Sequence, residues 1–201
     1  MSIQIGDKPG NGFDNPLGLL SDCHRRIERF LGNLQQVADQ AEGGALTDDQ
    51  RHTLEISLRY FRKAVPRHTQ DEEASLFPRM RRIVNDEIKS ALNQIQALEA
   101  DHQRAAELHA VVDKIGSRWL EKGGISAEEV VRMKVALGEL EGLYSNHIAL
   151  EDHEVFPLAG RELPADQIEA IGREMAKRRG LSYEDPLRCR TRREGKDGNA
   201  A

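Results

Sequence analysis

Hydrophobic residues recur every three or four positions over long stretches of this chain, and charged or polar residues fill the positions between them. That spacing places the hydrophobic side chains on one face of an α-helix. Valine and isoleucine nowhere alternate with polar residues over the length of a strand. The pattern therefore predicts an all-α protein built from amphipathic helices.

Capping residues and helix breakers divide this pattern into four long helices and a shorter fifth one. Thr47-x-x-Gln50 and Ser126-x-x-Glu129 are capping boxes, which begin helices. Pro66 should kink the second helix, and the Pro of each Phe-Pro pair should end its helix. The predicted helices run from Pro16 to Gly43-Gly44, from Thr47 to Phe77-Pro78, from Asp86 to Glu121, from Ser126 to Phe156-Pro157 and from Pro164 to Arg179.

The second half of the chain repeats the first. In both halves a lone His is followed by a Gly-Gly break, a capping box and a His-x-x-x-Glu sequence. His24 lies 44 residues before His68, and His102 lies 45 residues before His147. Antiparallel helices joined by short loops bring residues equidistant from the loop to one level, and the offsets here amount to only about 3 Å. We therefore expect an up-down-up-down four-helix bundle with all four His side chains at one level.

Two carboxylates belong to the same layer. Glu72 and Glu151 follow His68 and His147 by four residues, so each pair shares one helix face. Buried imidazoles and carboxylates need partners, which metal ions provide. Six ligands exceed the needs of one tetrahedral zinc and suit two metals with shared carboxylates. Nitrogen and oxygen ligands without thiolate favour non-haem iron, with manganese or zinc as alternatives. A simpler alternative is that the His–Glu pairs only fix helix register.

The order His…His-x-x-x-Glu…His…His-x-x-x-Glu, with a Phe-Pro pair after each Glu, resembles the hemerythrin-like (HHE cation-binding) domains over residues 15 to 160. The resemblance implies two non-haem iron ions, bridged by oxide or hydroxide, in a four-helix bundle. It also implies oxygen carriage, iron or oxygen sensing, or protection against nitric oxide and peroxide. Oxygen carriers have a second His at the position of Ala106, which argues against simple carriage. The implied ligands are His24, His68, Glu72, His102, His147 and Glu151.

Composition and net charge limit the possible partners and the cellular location of the protein. The net charge of −5 argues against general binding to nucleic acid. The chain has two Cys residues, no signal-peptide pattern and no apolar run of about 20 residues, so we expect a cytoplasmic protein without a membrane span. The predicted organisation is a flexible lead-in (1–15), the bundle (16–160), an extra helix (161–180) and a basic, disordered tail (181–201).

These patterns predict a di-iron protein that binds or reduces a small oxidant such as oxygen, nitric oxide or peroxide. The alternative is an iron or oxygen sensor whose metal occupancy controls a protein partner. The sequence leaves open whether the chain is an enzyme. It also leaves open whether Glu28, His109 or Tyr144 join the metal site.

Overall fold

The computed structural model describes residues 10–83 and 86–184, which form a helical bundle without strands. This confirms the all-α prediction, including a short helix after the bundle. The helices are α1 (Pro16–Ala41), α2 (Asp48–Lys63), α3 (Val65–Asp71), α4 (Phe77–Met80), α5 (Asp86–Lys122), α6 (Ala127–Leu150), α7 (Phe156–Glu162) and α8 (Ala165–Arg178). Within residues 10–83 and 86–184, the helices are too short or too polar to span a membrane.

The helices begin where the capping residues predict. The side chains of Thr47 and Ser126 accept hydrogen bonds from backbone N–H groups three residues later, and both capping boxes are complete. The two Gly-Gly loops meet at the same end of the bundle, because Ile125 N–H donates to the Gly43 carbonyl at 2.9 Å. Gly43 has a φ of 82°, and a Cβ there would lie 2.5 Å from the Val130 side chain. A glycine is therefore required at this loop contact.

The two Phe-Pro pairs do not end their helices, so that prediction was wrong. Each pair instead follows one turn of π-helix, 72–76 in the first half and 151–155 in the second. Phe77 N–H donates to the Glu72 carbonyl, and Phe156 N–H donates to the Glu151 carbonyl, each five residues back. The wider turn allows the chain to continue as α4 or α7 despite the missing proline N–H. Pro66 does interrupt the second helix, since α2 ends at Lys63 and α3 begins at Val65.

Two hydrophobic cores occupy the two ends of the molecule. The first lies between α1, α2, α5 and α6 on the side of the Gly-Gly loops and includes Trp119, which is fully buried. The second joins the start of α1, α4, part of α5, α7 and α8. The buried polar side chains His24, His68 and Glu72 come from the helix segments that join these two cores.

Helix α8 belongs to the second core. Ile171, Gly172, Met175 and Ala176 are its buried residues. A Cβ at Gly172 would lie 2.0 Å from the carbonyl oxygen of Phe13, so a glycine lets the segment before α1 approach α8. Phe13 itself is buried. Residues 1–9 of the predicted lead-in and residues 185–201 of the predicted tail lie outside the described residues.

Candidate metal centre

The structure brings all six predicted ligands together. His24 comes from α1, His68 from α3, His102 from α5 and His147 from α6. Glu72 and Glu151 are the first residues of the two π-helical turns. Both carboxylates are fully buried, and no His side chain is more than 7% exposed. A π-helical turn inside an α-helix is frequently found at a functional site, and here each one begins with a predicted ligand.

The six side chains divide into two overlapping groups of four. His24 and His68 form one group with the two glutamates, and His102 and His147 form the other with the same two glutamates. Within each group, one ligand atom from every residue lies within 4.8 Å of the rest. Both carboxylates thus lie between the two His pairs and belong to both groups.

The contacts between the rings and the carboxylates are close. His68 Nε2 lies 3.0 Å from Glu72 Oε1, and His102 Nε2 lies 3.3 Å from Glu72 Oε2. Glu151 Oε2 lies 3.2 Å from His147 Nε2 and 3.1 Å from His24 Nε2. Each carboxylate therefore contacts imidazoles from both halves of the chain.

Several of these buried atoms have no hydrogen-bond partner. They are Nε2 of His24 and His102 and both carboxylate oxygens of Glu72 and Glu151. A buried polar atom without a partner is costly, and a carboxylate is the costliest case. Because these atoms are electron-pair donors that face one another, a cation between them satisfies them together. The residues present fit a metal centre.

Acidic side chains contact three of the four rings at Nδ1, the ring nitrogen on the side away from the cluster. His24 Nδ1 lies 3.0 Å from Asp152, His102 Nδ1 lies 2.9 Å from Glu73, and His147 Nδ1 lies 3.4 Å from Asp101. A carboxylate at Nδ1 keeps the proton there and leaves Nε2 free to bind a metal. Sequence reasoning missed these residues, although an acidic residue directly follows each glutamate ligand.

The fourth ring breaks this symmetry. His68 Nδ1 is buried and has no hydrogen-bond partner. The residue before His102 is Asp101, which reaches His147, whereas the residue before His24 is Cys23. Cys23 is buried beside the Tyr60 hydroxyl, with Sγ 3.9 Å from it. The two halves therefore offer the same ligands but support their second His differently.

Comparison with known proteins agrees with this geometry. The sequence profile of the hemerythrin HHE cation-binding domain matches residues 15–159. The chain belongs to that family. It is also similar to an uncharacterized protein of Haemophilus influenzae, with 28% identity over 171 residues that cover 83% of this chain and 91% of the relative. As a hemerythrin HHE domain, the chain is a metal-binding protein.

The three side chains left open by the sequence lie in different surroundings in this hemerythrin HHE domain. Glu28 is about half exposed and pairs with Arg25, so it is not part of the six-residue cluster. His109 Nε2 and the Tyr144 hydroxyl form a hydrogen bond of 2.8 Å, and the His109 ring stacks on Phe61. Tyr144 is buried three residues before His147. His109 and Tyr144 thus form a polar pair next to the six-residue cluster.

Burial and neighbouring charges shift the pKa values of the six-residue cluster in opposite directions. Burial raises the pKa of Glu72 well above its usual range, and the nearby Glu151 carboxylate raises it further. Burial also opposes ionisation of Glu151, but the neighbouring His147 and His24 outweigh burial and lower its pKa. Burial lowers the pKa of His24, but the contacts with Asp152 and Glu151 raise it to about 9. Positive charge between the helices would therefore stabilise the two facing carboxylates in their ionised form.

Replacing His109 with glutamine is expected to make the domain less sensitive to acid. Burial lowers the pKa of His109 to about 4, below an unfolded value of about 6.5. The unfolded chain therefore takes up a proton first, and the stability that neutral His109 supports is lost as the pH falls from about 6.5 through 4. Between pH 7 and 4.5 this loss is about 2 to 3 kcal/mol. Urea unfolding at both pH values, at equal metal content, measures it.

Glutamine at position 109 can still hydrogen bond with Tyr144 but cannot become charged. The matched control is His52→Gln, because His52 lies exposed on α2. We expect the control to keep the pH dependence of the parent protein. Equal acid sensitivity of His109→Gln and the parent protein would contradict the prediction.

Proposed function

We propose that this hemerythrin HHE protein holds two non-haem iron ions and binds or reduces a small oxidant, such as oxygen, nitric oxide or peroxide, in a protective role. The observation that carries the proposal is the pair of overlapping His₂Glu₂ groups with shared carboxylates. Imidazole and carboxylate donors in a helix bundle, without thiolate, suit iron better than a soft metal. Manganese and zinc are the alternatives that metal analysis separates.

In this proposal each residue of the cluster has a defined task. His24 and His68 hold one ion, His102 and His147 hold the other, and the two glutamates serve both. Each ion then has four protein ligands or fewer, so coordination positions remain for a small molecule. Two iron ions held in this way would supply electrons to a bound oxidant, each by a change of one unit of charge.

The acidic residues behind the rings support this task. Asp152, Glu73 and Asp101 fix the rings with Nε2 directed at the cluster, and they add negative charge close to the ions. Ala106 on α5 lines the space beside the cluster and brings no ligand atom. That composition favours reaction or sensing over the carriage of oxygen.

Metal analysis and absorption spectroscopy of the protein as purified test the proposal. We expect about two irons per chain and iron absorption bands that change on addition of nitric oxide, hydrogen peroxide or oxygen. The His147→Ala variant is expected to lose about one metal or to weaken both positions, because the carboxylates are shared. Spectra that ignore all three oxidants, or one zinc per chain, would rule the proposal out.

A specific contact favours a sensor as the second candidate. Asp71, next to Glu72, is held by Arg178 and Arg179 at the end of α8, each at 2.7 Å. A change at the Glu72 turn can therefore reach the C-terminal segment. A sensor requires that removing the metal increases hydrogen exchange in α8. Protection of α8 that is equal with and without metal would exclude this route.

A further inference from the structure

A cavity of about 400 Å³ opens beside the six-residue cluster of candidate metal ligands. His24, His68, His102 and His147 line one end of it. Apolar side chains from all four bundle helices cover most of the remaining wall, namely Ile27, Leu58, Phe61, Ala105, Val112 and Ile148. The cavity is therefore an apolar chamber that ends at the proposed ions.

The exposed residues of the lining indicate that the cavity opens to solvent where the second helix breaks. Val65 and Pro66 line it on one side, at the start of α3, and the exposed Ala106 and Ala110 line it on the α5 side. Both alanines are small, so nothing on α5 covers the entrance at these positions. The opening therefore lies between α3 and α5.

The volume is far larger than a diatomic ligand needs. An engineered apolar cavity of about 150 Å³ holds benzene, so in the same proportion about 400 Å³ has room for up to roughly sixteen non-hydrogen atoms. Oxygen, nitric oxide or hydrogen peroxide would leave most of the apolar wall without a contact. The lining instead matches pockets for small organic molecules, which are mostly apolar with a few polar groups.

Away from the four His rings, the polar groups of the wall are neutral or already paired. Tyr144 and His109 hydrogen bond with each other within it. Arg62 and Asp113, the charged side chains of the lining, form an ion pair with each other and are partly exposed. Away from the His rings and the proposed ions, a charged ligand would find no unpaired counter-charge among the described lining residues. A ligand with one hydroxyl-type group can hydrogen bond with Tyr144.

We infer that the cavity binds a neutral organic molecule of about ten to fifteen non-hydrogen atoms, with an apolar body and one hydroxyl or hydroperoxyl group placed between Tyr144 and the His cluster. The inference rests on the proposed function, because it names the class of molecule that reaches the proposed ions. It requires a substrate or effector larger than the diatomic molecules themselves. The apolar body occupies the space between α2 and α5, next to Leu58 and Ala105.

The probe for this inference is 1-naphthol, which has eleven non-hydrogen atoms and one hydroxyl group and is fluorescent. Titration into the metal-containing protein as purified should show saturable binding of one molecule per chain. Ala105→Leu places three more carbons inside the cavity and should weaken binding about tenfold or more. Ala100→Leu is the matched control, because Ala100 is an exposed alanine of α5 outside the cavity.

A conservative variant tests the polar group separately. Tyr144→Phe keeps the ring and should weaken 1-naphthol about three- to tenfold while leaving naphthalene unaffected, since only the hydroxyl contact is lost. Thermal unfolding and metal content show whether each variant is folded. Tyr144→Phe alters a single hydroxyl, so this comparison stands even if Ala105→Leu does not fold.

The outcomes separate this inference from the proposed function. No binding of 1-naphthol, together with a normal spectral response to nitric oxide, overturns the inference and leaves the proposed function standing. Binding that is unchanged in both Ala105→Leu and Tyr144→Phe places the probe elsewhere and also overturns it. No response to nitric oxide, hydrogen peroxide or oxygen contradicts the proposed function itself.

Discussion

Replacing Glu72 with glutamine is expected to remove both metals rather than one. Glu72 belongs to both His₂Glu₂ groups, and its two oxygens face His68 and His102, one from each half of the chain. Glutamine has nearly the same shape but lacks the negative charge that would balance the two proposed cations. We expect metal affinity to fall about 100-fold or more, beyond the 10- to 100-fold typical of an outer hydrogen-bond partner. Metal content after dialysis and competition with a chelator measure the loss.

The same substitution should stabilise the metal-free protein. Burial and the nearby Glu151 raise the pKa of Glu72, so ionised Glu72 destabilises the metal-free fold at neutral pH. Glutamine removes that carboxylate, and the midpoint of thermal unfolding without metal should rise. Glu55→Gln, at an exposed position of α2, is the control and should change neither quantity. A Glu72→Gln protein that retains two tightly bound metals would show that Glu72 is not a shared ligand.

The fold was predictable because its signals are local and occur twice. Apolar spacing gives the helices, and Thr47 and Ser126 give two of their starts. The repeat then aligns His24 with His68 across a loop without any knowledge of the packing. The π-helical turns were not predictable in this way. A proline normally ends a helix, and only the structure shows that a hydrogen bond five residues back lets the helix continue.

The centre of the candidate site was predictable for the same reason, but its surroundings were not. The six candidate ligands follow from helical spacing and from the level that the loops impose. Asp152 reaches His24 from the other half of the chain, a contact that no spacing rule within one helix reveals. The difference between Cys23 and Asp101 likewise matters only once the rings behind them are placed.

The contact between α8 and the Glu72 turn also lies beyond sequence reasoning, although it carries a large predicted effect. Replacing both Arg178 and Arg179 with alanine is expected to destabilise the protein by about 3 to 5 kcal/mol. Asp71 is fully buried, and each of its carboxylate oxygens accepts a hydrogen bond of 2.7 Å from one of these arginines. Without them the carboxylate is a buried charge that has lost both guanidinium groups. Urea unfolding at neutral pH measures the change.

A third substitution distinguishes the lost charge pair from a general loss of α8 packing. The position equivalent to Asp71 in the second half of the chain is Leu150, which also precedes a glutamate of the metal centre. Asp71→Leu in the doubly substituted protein should therefore recover most of the stability, because it removes the unpaired charge. Arg173→Ala on the same helix is the control, because Arg173 is exposed and its contacts with Glu169 and the Tyr183 ring lie at the surface, where such contacts contribute little. If the double replacement costs no more than this control, α8 does not stabilise the Glu72 turn through Asp71.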